Sequence, residues 1–171
     1  SNRPGYGGGG GGGGRVSVRC DEALDAGVQL SALGGAKGSS QSSSTSYHGK
    51  LGAPGTIFTK NGTERALRLD NRPATALDGG IVRVPASGSA PLALTRLEVH
   101  SCVAVLGGAV SASVMDATAS TITVEQPLNA TSLSASDCTV EASAAVTGSA
   151  MVLTSNTWAT TDSLTASASL Q

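Results

Sequence analysis

Histidine and cysteine, the side chains best suited to metal binding, are scarce in this sequence. Of the two histidines, His48 falls in a polar loop and His100 at a predicted corner of the repeat described below. The three cysteines are Cys20, Cys102 and Cys138, and no C-x-x-C, H-E-x-x-H or EF-hand spacing occurs. Because a metal site needs several such ligands converging, the sequence predicts no metal and no bound cofactor.

Catalytic groupings of other kinds are equally hard to find. Serines are abundant, but G-x-S-x-G is absent and neither histidine has a suggestive context. Carbohydrate-processing enzymes group carboxylates, or Asp with Arg and Lys, on one face. The acidic residues of the C-terminal half are Glu98, Asp116, Glu125, Asp137, Glu141 and Asp162. We expect them at different positions of the repeat described below, and therefore not as one group.

Three further features have specific chemistry. Asn61-Gly62-Thr63 and Asn129-Ala130-Thr131 are acceptor sequences for N-glycosylation, and Asn61 lies in a predicted turn, where a glycan has access. Cys20 could pair with a cysteine of another chain or stay free. Trp158 is the only tryptophan, and it is a candidate either for stacking on a sugar or for covering the core at one end of the fold.

Composition argues for a narrow core of small side chains. The chain of 171 residues has four aromatics, Tyr6, Tyr47, Phe58 and Trp158, whereas aromatic side chains supply much of an ordinary core. Its net charge is −1 and 13% of its residues are charged, without the basic patch that nucleic acid requires. There is no apolar run long enough to span a membrane. Since the sequence begins SNRPG, we expect a piece of a longer protein.

The elements that must position these residues are strands in a repeat. The stretch 83–171 divides into 83–101, 102–120, 121–137, 138–156 and 157–171, and the third of these is slightly shorter than the other complete segments. Each segment opens with a short apolar alternation, carries a second apolar patch, and closes on polar residues. A fixed period near 20 with strand chemistry in each unit is typical of a β-solenoid. We predict an all-β, parallel β-helix with rungs of about 17–19 residues.

This segmentation predicts a register. It aligns Cys102, Thr121, Cys138 and Thr157 in one column. Cys102 and Cys138 would then lie two rungs apart, roughly 9–10 Å at a strand spacing of ~4.8 Å, which is too far for a disulfide that needs Cα atoms within ~7 Å. The same alignment puts Trp158 in register with Val103, Ile122 and Thr139.

The N-terminal part of the chain, 1–82, is less regular. Gly7 to Gly14 are eight consecutive glycines, read either as a flexible linker or as a tight layer against another backbone. Alternating apolar residues predict strands at 16–20, 28–32, 56–59, 66–69 and 81–84, with a tight turn at Asn61-Gly62. Residues 35–55 form a polar, Ser-rich loop, and no helix is expected.

The order of these motifs resembles a Gly-rich module found beside parallel β-helices in very large secreted and cell-surface proteins of bacteria and protists. The matching residues are GGRVSV (13–18), GTIFTK (55–60) and LRLDN (67–71), so the resemblance covers residues 7–71. It departs from the family's pattern at the insert 36–50 and at Pro54. The resemblance implies β-architecture and an extracellular, often structural or adhesive, setting, and it carries no catalytic residues.

These observations divide the chain into a Gly-rich segment (1–14), irregular solenoid rungs (15–82, with loop 35–55) and regular repeats (83–171). The function expected is a structural segment of a large extracellular surface or filament protein, whose partners are other copies or other segments of the same protein. A carbohydrate-binding or adhesion module using loop 35–55 and Trp158 is the first alternative. A polysaccharide-processing β-helix enzyme is the second.

Overall fold

The chain folds as an all-β solenoid whose strands are mostly parallel. The computed structural model describes residues 9–21, 24, 27–36, 51–71, 80–84 and 90–166. Among the described residues, thirteen strands form an eight-stranded sheet A and a five-stranded sheet B, and no helix occurs. The predicted fold class is therefore confirmed. His48 and residues 37–50 of the Ser-rich loop lie outside the described part of the chain.

The two sheets are built from different strands of each rung. Sheet A has the order β1 (Arg15–Cys20), β2 (Thr56–Asn61), β3 (Glu64–Asp70), β5 (Leu92–His100), β7 (Val110–Thr118), β9 (Leu128–Ser136), β11 (Val146–Thr154) and β13 (Leu164–Ala166). Sheet B has the order β4 (Ile81–Val84), β6 (Val103–Leu106), β8 (Thr121–Val124), β10 (Thr139–Ala142) and β12 (Thr157–Thr160).

The repeat keeps one length from β5 to β13. In sheet A, Leu92 pairs with Val110, then Leu128, Val146 and Leu164, and the sequence step between partners never changes. This step is 18 residues, as between the partners Asn129 on β9 and Thr147 on β11. Sheet B has the same step from β6 to β12. The predicted rung length is confirmed. The predicted segment boundaries, however, do not keep this constant step, so several predicted columns are displaced by one residue.

Each long strand of sheet A turns a corner within itself. In β5, Leu94 and Leu97 are buried, and two successive residues, Thr95 and Arg96, lie between them, whereas alternation would leave only one. Thr95 has no partner in the register with β7. The same interruption recurs in β7, β9 and β11. Two outward residues in succession shift the side-chain alternation by one, so the inward columns on both sides of the bend point into one core.

A left-handed residue marks the corner between each long strand and the short strand that follows. The four residues are Ser101, Ala119, Asp137 and Ser155, with φ between 47° and 54°. An L-residue in this conformation costs roughly 1–2 kcal/mol. The corner is held by the next rung, because Ala119 N–H donates to Ser136 O at 3.0 Å and Asp137 N–H to Thr154 O at 3.0 Å.

The core is a set of apolar columns that run along the stack. One column contains Leu67, Leu97, Met115, Leu133 and Met151, all buried. The remaining buried core residues are also aliphatic or sulfur-containing, while Phe58 and Trp158 pack against this core and are partly buried. The described core thus contains no fully buried aromatic side chain, but Leu, Ile and Met fill much of it, so the expectation of small side chains is only partly met.

The column at the corner differs from its prediction. The corners at Ser101, Ala119, Asp137 and Ser155 are each followed by one residue of this column, which consists of Cys102, Ser120, Cys138 and Asn156. The predicted threonines at 121 and 157 lie one residue further on, in the strands. The polar members satisfy backbone groups of the preceding rung. Asn156 Oδ1 accepts from Cys138 N–H, and its Nδ2 donates to Ala135 O, both at 2.8 Å.

The N-terminal strands add two further findings. β2 and β3 form an antiparallel hairpin whose turn contains Gly62 at φ 53°, which confirms the tight turn predicted at Asn61-Gly62. The strand predicted at 28–32 is wrong, since these residues are not in a ladder. Their apolar alternation instead reflects packing on one side, because Ala32 is buried while Val28 is exposed.

Three glycine-containing segments pack side by side before β1 and β2. They comprise residues 10–14, 32–35 and 52–55, and we call them the glycine bundle. Gly13 N–H donates to Ala53 O at 2.8 Å, Gly55 N–H to Ala32 O at 2.6 Å and Gly35 N–H to Gly11 O at 2.7 Å. A Cβ on Gly13 would overlap Ala32 O and Gly55 N. The tight-layer interpretation of the polyglycine run therefore holds at Gly10 and Gly13, whereas a Cβ on Gly11, Gly12 or Gly14 would meet nothing within 4 Å.

Asn71 joins the glycine bundle to the solenoid. Its side chain is buried; Oδ1 accepts from Gly34 N–H at 3.0 Å and Nδ2 donates to Gly52 O at 3.5 Å. Its own N–H donates to His100 O at 3.1 Å. One side chain thus satisfies backbone groups in two segments of the bundle while its main chain continues the stack, which ties the irregular N-terminal part to the regular rungs.

Candidate functional site: a charged groove on sheet A

Charged side chains gather on the outer surface of sheet A, where β3, β5 and β7 lie next to each other. Arg68 pairs with Glu98, and Glu98 pairs with Asp116, so these three residues form one outward column. Arg96 lies two residues before Glu98 on the same face of β5. We call the surface formed by Arg68, Arg96, Glu98 and Asp116 the charged groove.

The two arginines bridge the carboxylates across neighbouring strands. Arg96 Nε donates to Glu98 Oε1 at 2.7 Å, and its Nη2 donates to Asp116 Oδ2 at 2.5 Å. Arg68 Nε lies 3.0 Å from Asp70 Oδ2 and 3.8 Å from Glu98 Oε2. The hydrogen bond to Glu98 raises the pKa of Arg96, and the charges of Glu98 and Asp116 add to this effect. Because both arginines are over two-fifths exposed, each pair stabilises the fold by about 0–1 kcal/mol.

This arrangement corrects the expectation that the acidic residues do not group. Glu98 and Asp116 are register partners on β5 and β7, one full rung apart, so stacking does bring them together. The predicted segments 83–101 and 102–120 are each one residue longer than the rung, which places Glu98 and Asp116 one position apart in the predicted repeat. The remaining acidic residues lie elsewhere: Glu125, for example, pairs with Arg83 on the side of sheet B.

The groove extends beyond its charged centre in both directions. A depression of about 440 Å³ runs from Arg68 over Asp116 to hydroxyl-bearing residues, which are Thr118, Ser134 and Ser136. A second depression of about 200 Å³ shares Arg68, Arg96 and Glu98 with the first and is bounded by Val28 and Leu30. The charged centre is therefore flanked by hydroxyl groups on one side and by an apolar wall on the other.

His100 belongs to the edge of this groove. It is the last residue of β5, next to the corner at Ser101, which agrees with the corner position expected for it. Its Nδ1 lies 2.5 Å from Thr118 Oγ1, one rung away. Within the described residues, no group of three or more His, Cys, Asp or Glu side chains is arranged to hold a metal ion.

The two candidate glycosylation sites have different surroundings. Asn61 ends β2 at the hairpin turn, and Thr63 is exposed. Asn129 is an exposed residue within β9, where its Oδ1 accepts a hydrogen bond from Thr147 Oγ1. Asn61 thus lies at a turn, which is the reason it is the preferred candidate for glycosylation. Glycosylation of both residues stays a prediction.

Trp158 lies at the position of the inward column of sheet B rather than beside Thr139. It pairs with Val140, which pairs with Ile122. The ring packs against the hydrophobic core, and its Nε1 is buried without a hydrogen-bond partner. This geometry fits a residue that covers the core, whereas a sugar-stacking tryptophan presents its ring face to solvent.

The cysteines differ in exposure. Cys102 and Cys138 are buried and Cys20 is half-buried, and all three are free thiols. Burial raises the pKa of Cys102 from 9.0 to about 12, and burial also raises the pKa of Cys138. Since the thiolate is the reactive form, the two buried thiols are inert in the folded protein.

We expect a thiol reagent at pH 8 to modify Cys20 of the native protein quickly and to reach Cys102 and Cys138 only after unfolding. Mass spectrometry of labelled peptides, with and without denaturant, measures this difference. Rapid native labelling at Cys102 would contradict the buried corner column, and a Cys20→Ser variant provides the blank.

The free energy of unfolding should also fall as pH rises from 9 to 12, because the Cys102 thiol ionises at a lower pH in the unfolded chain than in the folded one.

No described helix is long and apolar enough to cross a bilayer. Compared with protein-family models, with curated proteins and with solved structures, the chain gives no significant match. The conclusions about this protein therefore rest on its own residues and geometry: a regular β-solenoid, an N-terminal glycine bundle, and one charged groove.

Proposed function

We propose that the chain is a structural segment of a large extracellular surface or filament protein, in which stacked rungs supply an elongated piece of architecture. The observation that carries this proposal is the unbroken parallel stack from β5 to β13, with a constant sequence step and apolar inward columns. The resemblance of residues 7–71 to a module of secreted proteins supports the extracellular setting.

The stack suits a structural role because each rung contacts mainly its neighbours. Hydrogen bonds link every rung to the next, and the buried columns continue through at least four rungs. Length then adds stability without any change in cross-section. The polar corner residues Ser120 and Asn156 hydrogen-bond backbone groups at the border of an otherwise apolar core.

Association with other copies would use strand edges, which differ at the two ends of the stack. Among the described strands, β1 has a neighbour on one side only, and it carries Arg15 and Arg19, exposed charges of the kind that protect an edge strand. β12 also has one neighbour among the described strands, but it carries no charged residue. We propose β12 as the edge through which copies associate.

Sedimentation velocity and electron microscopy of the native chain over a range of concentrations test this role. We expect elongated particles that associate as concentration rises, and Ala159→Lys on β12 should abolish the association. Thr123→Lys is the matched control, because Thr123 lies in the same outward column on the interior strand β8. A chain that stays monomeric at high concentration, without fibres, would contradict self-association.

A further inference from the structure

The geometry points to a second, independent activity: the charged groove binds a neutral or amino-sugar oligosaccharide. The groove combines a floor rich in hydrogen-bonding groups with an apolar wall, and it lies on the outer surface of sheet A, away from β12. Binding sites for polar organic ligands typically combine apolar surface with a few placed polar groups. The floor, the wall and the net charge each restrict the ligand.

The floor offers both donors and acceptors. Arg68 and Arg96 expose 41% and 44% of their side chains, and Glu98 and Asp116 expose 25% and 29%. These groups therefore keep solvent-facing positions after pairing with each other. A polyhydroxylated ligand matches such a surface because each hydroxyl group both donates and accepts.

The hydroxyl-bearing side continues the same pattern over further rungs. Ser134 stacks on Asp116 and Ser136 stacks on Thr118, each one strand further along sheet A. The polar positions thus recur at the strand spacing of ~4.8 Å. A ligand made of repeating polar units meets equivalent groups on successive rungs, which favours an oligomer over a single sugar.

The wall supplies the apolar part of the surface. Val28 is 48% exposed and Leu30 lines the groove beside it, both from the segment that runs over the outer surface of sheet A. A sugar ring has C–H groups on its faces and hydroxyl groups at its edge. It can therefore lay a face on Val28 and Leu30 while its hydroxyl groups reach Arg96 and Glu98.

The charge of the groove excludes anionic polymers. In the groove, Arg68 and Arg96 contribute +2 and Glu98 and Asp116 contribute −2, and the buried carboxylate of Asp70 behind Arg68 brings the local total to −1. Both arginines are already ion-paired with these carboxylates. Polyuronates, sulfated sugars and nucleic acids are thus disfavoured, whereas an uncharged or amino-bearing sugar meets no repulsion.

Titration of the native chain with a glucosamine hexamer, a cellulose hexamer and a galacturonate hexamer, followed by NMR and calorimetry, tests the inference. We expect the first two to bind at about 1 mM or more tightly, and the galacturonate hexamer not to bind. Glu98→Gln combined with Asp116→Asn should weaken binding of the glucosamine hexamer about tenfold, since it removes two exposed acceptors of full charge.

Two further variants keep the test decisive. Glu125→Gln removes a carboxylate ion-paired on the other side of the solenoid and should leave binding unchanged. Val28→Ser changes only the exposed wall, so it should fold normally and weaken binding of both the cellulose and glucosamine hexamers. Absence of binding, tighter binding of galacturonate, or equal binding of an oligolysine peptide would each overturn the inference. None of these results bears on self-association through β12.

Discussion

Replacing Gly13 with alanine should lower the free energy of unfolding of the N-terminal region by about 3 kcal/mol, the upper range for overpacking a tight interior. The added Cβ would overlap Ala32 O and Gly55 N, which are backbone atoms on two different segments of the glycine bundle. Neither atom can rotate away as a flexible side chain would. Hydrogen exchange of the Gly35 and Gly55 amides, which donate across the bundle, measures the loss directly.

Gly12→Ala is the matched control for this substitution. A Cβ at Gly12 has nothing within 4 Å, and Gly12 has no left-handed φ. Alanine should therefore be neutral there, or stabilising by about 0.4–1 kcal/mol through the unfolded state. If Gly13→Ala and Gly12→Ala exchanged amide hydrogens at the same rate, the bundle packing would be wrong, and the polyglycine run would be the flexible linker considered from the sequence.

Replacing Leu133 with alanine should destabilise the solenoid by about 2–5 kcal/mol, as for other fully buried leucines. Leu133 is 2% exposed and lies between Met115 and Met151 in its column. The cavity would open at the centre of the stack and weaken the contacts to the rungs on both sides. Urea unfolding followed by Trp158 fluorescence and by circular dichroism measures the change.

Two controls locate this effect. Ser132→Ala alters the neighbouring outward residue, which is exposed, and should change stability by less than about 0.5 kcal/mol. Leu164→Ala creates its cavity on β13, which has only one neighbour among the described strands of sheet A, and should be milder than Leu133→Ala. Equal losses for Leu133→Ala and Ser132→Ala would show that the inward alternation of β9 is misassigned.

The sequence was sufficient to predict the solenoid and insufficient to predict its register. Strand alternation and a near-constant period are local signals, and most of the predicted strands are present. The predicted segment ends, however, fall at residues 101, 120, 137 and 156, in steps of 19, 17 and 19 residues. The left-handed residues Ser101, Ala119, Asp137 and Ser155 are evenly spaced, one rung apart. Aligning on those four would have recovered the correct columns.

The candidate site was missed for the same reason. Whether Glu98 and Asp116 are neighbours depends on one residue of register, because a slip of one moves a side chain to the opposite face of its strand. The contribution of Val28 and Leu30 was equally inaccessible, since their alternation predicts a strand and gives no indication of packing across the outside of a sheet.

The motifs of the Gly-rich resemblance, by contrast, acquire physical roles. Gly13 and Gly55 occupy positions where backbone approaches backbone, and Asn71 bonds two segments of the bundle to the stack. Asp70 pairs with Arg68 at the groove. A short run of glycines and an Asp-Asn pair can therefore be read as one packing unit.

Because the step between left-handed corners is constant, whole rungs can be deleted or duplicated without changing the register of the remaining strands. Removing one whole rung, for example from Val110 to Pro127, would join Ala109 to Leu128. Leu128 is the register partner of Val110 and would take its place in the stack. Every apolar column and every corner would remain in phase. A gain or loss of a single residue within a strand would instead shift the side-chain alternation from that point to the next corner. Unequal recombination between such repeats can therefore lengthen or shorten this protein in whole rungs without redesigning its core.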